Sequence, residues 1–166
     1  DTGPVIAARS VVIEGEDDEL SLRLRLASLG ASMVVEFLPS WVEGIIEATP
    51  QGEEGASYAS LLRKDELVVD WSRSAREIHN LVRALSPRPG AHTFLRGRRL
   101  KILRVSIADT ERTPAPGELI TVGGELLVGT GDGSLQILLL QPEGKRSMSA
   151  DEFLRGYRPR KGERLG

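Results

Sequence analysis

Between His92 and Pro142 the chain reads as five short β-like runs, HTFLRG, RLKILRVSIAD, GELITV, ELLVGTGD and SLQILLLQP, divided by Gly or Pro turns. RGRR, VGGE and GDGS have the composition of hairpin turns. Five short strands joined this way predict a small antiparallel barrel, which at this size would be OB-like.

The flanks carry helical signals. SAREIHNLVRAL (Ser74 to Leu85) sets Ile78, Leu81, Val82 and Leu85 on one face, with Ser72 or Ser74 as cap and SPRPG as stop. SADEFLRG (Ser149 to Gly156) has Ser149 and, three residues on, Glu152, the spacing of a capping box. The basic tail YRPRKGERLG is expected on the surface. Near the other end, PVIAARSVVI (Pro4 to Ile13) is rich in β-branched residues and reads as a strand. EGEDD then makes a turn with Asp17 or Asp18 as a helix cap. From Glu19 to about Trp41, Leu22, Leu26, Leu29, Met33 and Phe37 recur at helical spacing and share a face. A run of Gly, Glu, Pro and Gln within Glu43 to Ser57 is the best linker candidate.

Charge divides the chain along the same line. Residues 1–69 hold five Lys/Arg against thirteen Asp/Glu, and residues 70–166 hold seventeen against eleven. Such a split predicts two units with different partners. The basic half is dominated by Arg, the side chain suited to phosphate forks and base stacking. Cysteine is absent, which excludes disulfides and thiolate metal sites. No apolar run approaches the roughly 18 residues that read as a membrane span.

Few motifs carry chemistry by spacing alone. GTGDGS (Gly129 to Ser134) resembles a phosphate loop but lacks the following Lys-Ser/Thr and leads into a strand, so a hairpin turn is expected. His79 and His92 have no metal-ligand spacing, and no metal is expected.

Four stretches, DTGPVI, DWSRSAREIHNLVRALSPRPGAHTFLRGRRLKI, APGEL and VGTGDGSLQILLLQPEGKRSMSADEFLRG, follow one another from the first residue to nearly the last. In content and order they resemble the methionyl-tRNA formyltransferase family, and LQPEGKRSMSADEFLRG is the most specific. The resemblance implies an α+β fold. A strand-plus-helix remnant of a Rossmann-like formyltransferase domain (residues 1–50) would be followed by a linker (51–69). An OB-like antiparallel β-barrel that binds tRNA (70–166) would complete it. It implies transfer of a formyl group from 10-formyltetrahydrofolate to the amino group of methionyl initiator tRNA, in the cytoplasm, by a monomer with no membrane partner. Asp1 of DTGP matches the family's catalytic Asp, whose Asn and His partners would lie upstream of this chain. Since loss of one oxyanion donor costs about a hundred- to a thousandfold in rate, the chain is expected to be inactive alone.

The expected RNA contacts form two clusters. RGRRLKILR holds Arg96, Arg98, Arg99, Lys101 and Arg104 in and around a hairpin. Strict alternation there puts Arg99, Lys101 and Leu103 on one face and Leu100, Ile102 and Arg104 on the other. Lys145 and Arg146, followed by Arg155, Arg158, Arg160 and Lys161, form the second cluster. Aromatics are sparse, so phosphate contact rather than base stacking is expected to dominate. The family usually has Pro and a basic residue where Ser60 and Leu61 stand, which shifts any linker contact to Arg63 and Lys64. Arg88 replaces a common aromatic. Two rivals remain at this point: a sugar-nucleotide N-formyltransferase and a stand-alone RNA-binding module. The basic barrel and LQPEGKR oppose the first, and DTGPVI opposes the second.

Overall fold

The computed structural model describes residues 2–110, 112–160 and 162–166. They form two compact units, one up to Leu61 and one from Leu62 to Gly166.

In the first unit a single long helix, α1 (Glu19–Val42), starts at Asp18. The Asp18 carboxylate accepts the Ser21 N–H at 2.8 Å, and the Ser21 hydroxyl accepts the Asp18 N–H at 3.1 Å. This reciprocal pairing satisfies two otherwise orphaned amides. Asp17, the other candidate cap, is buried beneath the turn, where it accepts from the Glu14 N–H at 2.8 Å and from Arg25 at 2.6 Å. The Glu14 amide, with Ser21 and Arg25 behind it, holds its carboxyl below the usual carboxylate range. Leu22, Leu29, Met33 and Phe37 of the expected face are half-buried, Leu26 is exposed, and no residue of α1 is fully buried.

The strand expected over Pro4–Ile13 is not formed. That stretch makes one isolated bridge, Val5 to Thr49, at 2.8 and 2.9 Å. β-Branched residues favour extended backbone, but a strand exists only where a neighbour takes its N–H and C=O groups. Among the described residues no backbone partner does so beyond Val5, and the Val12 carbonyl is taken instead by the Arg25 guanidinium at 2.7 Å.

The second unit carries the core. Ser74 caps α2 (Ala75–Leu85) in a capping box with Glu77, and α2 buries Ile78, Val82 and Leu85. The five expected runs become β1 (Ala91–Leu95), β2 (Arg98–Ile107), β3 (Leu119–Val122), β4 (Glu125–Gly129) and β5 (Ser134–Pro142). A two-residue strand β6 (Met148–Ser149) follows, and Ser149 then caps α3 (Ala150–Tyr157) with Glu152 as expected. All pairings are antiparallel, in the order β1-β2-β5-β4-β3 with β6 on β5. Ile78, Ile102, Leu126, Ile137, Leu140 and Phe153 fill one continuous core, in which the Trp71 indole N–H donates to Thr93 Oγ1 at 3.1 Å.

The fold is therefore α+β with an antiparallel sheet, and the sheet is open: β1 and β3 do not pair with each other. The tail lies between them instead. Leu119 N–H donates to Glu163 O at 2.8 Å, Leu165 N–H to Gly117 O at 2.8 Å, and Gly166 N–H to Phe94 O at 3.0 Å. Leu165 is buried with the core, while Arg158, Arg160, Gly162, Arg164 and Gly166 are exposed, so the tail runs on the surface as expected but is anchored inward at Leu165. Covering both edges satisfies backbone groups that would otherwise invite another chain.

The turns explain the glycines. Arg96 and Gly97 link β1 to β2 with φ of 52° and 72°, and Gly123 and Gly124 link β3 to β4 with φ of 60° and 93°. Positive φ at both central residues matches the right-handed twist of the flanking strands. GTGDGS is a hairpin turn between β4 and β5, as expected. Gly131 has no room for a Cβ because the Ser72 carbonyl oxygen occupies the place, and its N–H donates to Arg73 O at 2.8 Å. Asp132 then accepts the Ala75 N–H at 2.7 Å, tying the turn to the start of α2.

Candidate nucleic-acid interface

Strand β2 sets the interface, and its irregularity decides which cations it presents. Register with β5 shifts between Ile102 and Arg104 and again between Arg104 and Val105. Leu103 is the extra residue and is buried, while Leu100, Ile102 and Val105 lie in the core and Arg104 is exposed. A bulge of this kind resets the alternation of faces. Arg104 therefore does not share the face of Leu100 and Ile102, as strict alternation required. It stands on the outer side with Arg99 and Lys101.

Neighbouring strands complete that face. Phe94 pairs with Arg99 and His92 with Lys101 on one side, and Gln141 pairs with Lys101 and Leu139 with Arg104 on the other. The Phe94 ring is 39% exposed and meets the His92 ring edge-on at 5.9 Å. Partial burial, then the charges of Arg99 and Lys101, push the His92 imidazole below its ordinary value, which favours the neutral ring. Gly90, at φ 85°, leaves room for the Lys101 stem, whose Cδ would lie 3.0 Å from a Cβ there.

Around the end of the same hairpin, Leu95, Arg96, Arg98, Arg99, Leu100, Pro142, Glu143, Lys145 and Tyr157 line a cleft of about 200 Å³. It joins the two expected clusters, since Arg98 and Arg99 come from the hairpin and Lys145 from the turn after β5. Leu100 pairs with Pro142, and the Glu143 N–H donates to Arg99 O at 3.0 Å, which holds that turn against β2.

The remaining candidates separate by what they already hold. Arg96 grips the Glu163 carboxylate at 2.6 and 2.9 Å, and Arg146 contacts Glu152 at 2.8 Å. Arg63 faces Asp65 at 3.1 Å and Glu66 at 3.8 Å, beside exposed Lys64 in a 3-10 turn over Lys64–Leu67. Arg155 is exposed on α3, outside the cleft. Among the described residues Arg98, Arg99, Lys101, Arg104 and Lys145 form no ion pair. Asp1, the expected catalytic carboxylate, and Lys161 lie outside the described residues.

His92, Gln141 and Glu143 were absent from the sequence-derived set. Only the cross-strand register brings them beside the cations, and a single sequence does not contain that register. Among the described residues no three His, Asp or Glu side chains gather to hold a metal ion, and no helix is long and apolar enough to cross a membrane.

Comparison with known proteins gives this basic sheet a context. Residues 61–158 match the family described as formyl transferase, C-terminal domain. The methionyl-tRNA formyltransferase of Thermodesulfovibrio yellowstonii is 41% identical over 98% of this chain and 52% of its own length. That of Pelobacter propionicus is 44% identical over 100% of this chain and 52% of its own length. The chain thus spans about half the length of the curated relatives it matches. Among solved structures, a variant of HypX from Aquifex aeolicus is similar with a TM-score of 0.72, at 20% identity, over 95% of this chain and 29% of that one. HypX in complex with tetrahydrofolic acid matches 74% of this chain and 23% of that one, at a TM-score of 0.57 and 23% identity. At such identities the likeness speaks for the fold alone. Because the family match covers the open sheet, both of its flanking helices and the basic hairpin together, the chain belongs to the formyl transferase C-terminal domain family.

Proposed function

We propose that this chain is the tRNA-holding part of a methionyl-tRNA formyltransferase working in the cytoplasm. The observation that carries this reading is the row Arg99, Lys101 and Arg104, three unpaired cations aligned on one outer face by the Leu103 bulge. A row of like charges costs self-repulsion in the free protein, and an RNA backbone removes that cost. The family match and the relatives' names point to the same partner.

On this reading residues 70–166 form the tRNA-binding domain, an OB-like arrangement whose barrel is left open for the tail. Residues 51–69 are the linker, and residues 1–50, helix α1 with the extended segment before it, are the end of a Rossmann-like formyltransferase domain. In the reaction the neutral methionyl amine attacks the formyl carbon of 10-formyltetrahydrofolate. A new C–N bond forms, the bond to the folate nitrogen breaks with its electron pair, and the proton lost by the amine ends on that nitrogen. Asp1 orients or deprotonates a His that, with an Asn, stabilises the developing oxyanion. The cations of β2 act on none of these atoms; they position the substrate through its phosphates, with Lys145 adding to the grip.

Binding of the 166-residue chain to methionyl initiator tRNA over a salt series tests the reading. Each neutralised phosphate contributes about 0.7 to 0.9 to the slope of log affinity against log salt. The Arg99→Ala, Lys101→Ala, Arg104→Ala triple variant is expected to lower that slope by about two to three, and Arg155→Ala to lower it by less than one. Absence of tRNA binding by the folded chain at low salt overturns the proposal.

A further inference from the structure

The cleft beside the β1–β2 hairpin combines two chemistries that a simple phosphate-binding groove does not need. Its inner wall is apolar, made by Leu95, Leu100 and Pro142, all buried, with half-buried Tyr157 at one end. Its rim carries Arg98, Arg99 and Lys145, exposed and without ion pairs among the described residues. Phosphates alone would be served by the rim. The wall adds an apolar surface beside them.

The cleft is also held in shape. The Tyr157 ring stacks on buried Phe153, with centroids 4.6 Å apart and planes 14° apart. Arg96 is fixed to Glu163 and reaches the Tyr157 carbonyl at 3.4 Å, so it braces the wall rather than competing for ligand. A volume of about 200 Å³ falls below the roughly 300–1,000 Å³ of sites for drug-sized ligands. It suits one planar ring system and is too small for a whole coenzyme. A nucleobase in a paired, stacked helix cannot present its face to such a wall, whereas an unpaired one can.

We propose that the cleft receives one unpaired nucleotide of the bound RNA, its base against Leu95 and Tyr157 and its flanking phosphates on Arg98, Arg99 and Lys145. The inference rests on the reading of this unit as RNA-binding. Base stacking on an aromatic or apolar wall is sequence-tolerant, because every base has a π-face. The cleft therefore senses the presence of an unpaired nucleotide and its distance from the cations of β2, rather than the identity of a base.

Three blunt-ended, two-stranded RNAs with the same number of base pairs test this with the 166-residue chain: one fully paired, one with a single bulged nucleotide, and one with an abasic bulge at the same place. Measured at moderate salt, the bulged RNA is expected to bind about tenfold more tightly than the paired one. The abasic bulge is expected to lose that gain. Tyr157→Ala is expected to bring the ratio of bulged to paired affinity close to one. Should that variant fail to fold, the abasic comparison on the unaltered chain still decides. Equal binding of all three RNAs overturns the cleft inference and leaves the RNA reading intact. No binding of any of them, or of initiator tRNA, at low salt overturns both.

Discussion

Gly131 shows how a single residue sets the second unit's geometry. A Cβ at this position meets the Ser72 carbonyl oxygen, a backbone atom that cannot rotate away. Gly131→Ala is expected to destabilise the unit by about 1–3 kcal/mol, as overpacking does. Chemical denaturation followed by tryptophan fluorescence is a direct measure, since Trp71 lies in the core. Arg96 and Glu163 give the second residue-scale expectation. The Arg96 guanidinium, first through its hydrogen bonds and then through its charge, holds the Glu163 carboxyl below the ordinary value of 4.5. The folded state then binds this proton less readily than the unfolded chain does. The pair's contribution is present above about pH 4.5 and is lost as pH falls through the depressed value. Glu163→Gln should flatten the acid side of the stability curve and leave a smaller loss of stability as pH falls below about 4.5, as followed by thermal melts.

Strand β2 shows what one element adds to its residues. A regular strand would turn Arg104 toward the core, where an unpaired guanidinium is costly. The bulge at Leu103 removes that conflict: it puts an extra residue in β2, a compensating shift on the β5 side follows between Arg104 and Val105, and Arg104 between them is exposed. Arg104→Ala is therefore expected to weaken RNA binding about as much as Lys101→Ala, with little effect on stability. A titration at one salt concentration and a melting curve compare the two. If Arg104→Ala destabilises the chain and leaves binding unchanged, the outward placement is refuted. The helices needed no such correction. Their capping boxes, at Ser74 with Glu77 and at Ser149 with Glu152, depend on residues three apart. Local spacing is what a sequence displays openly.

At the scale of the molecule the two units differ in how they spend their apolar residues. The second buries its large side chains in one cluster. In the first, α1 buries none fully, and Val12, Val35, Val42 and Ile45 are more than two-thirds exposed. Local stability follows buried contacts, so amide hydrogens of α1 are expected to exchange well before those of β2 and β5 in a native-state exchange experiment. Comparable protection in both units would contradict this. The charge split has a related consequence: the unit with the core is also the unit with the surplus of Arg. A rigid scaffold holding fixed cations can bind a backbone without first ordering itself.

The sequence by itself determined the elements of this protein. Strand runs, hairpin turns, helix caps and the basic character of residues 70–166 all depend on neighbours within a few positions, where period and turn chemistry act directly. The family resemblance was likewise legible, because it rests on contiguous stretches such as LQPEGKRSMSADEFLRG. What the tertiary structure alone decided concerns partners far apart in the chain. The Leu103 bulge arises from register against β5, the open sheet from a tail that reaches β1 and β3, and the cleft from the meeting of Arg98 with Lys145 and Tyr157. Pro4–Ile13 failed as a strand for the same reason. Its own residues favour extension, but only a partner strand can complete its hydrogen bonds, and partnership between distant segments is settled by packing rather than by local preference.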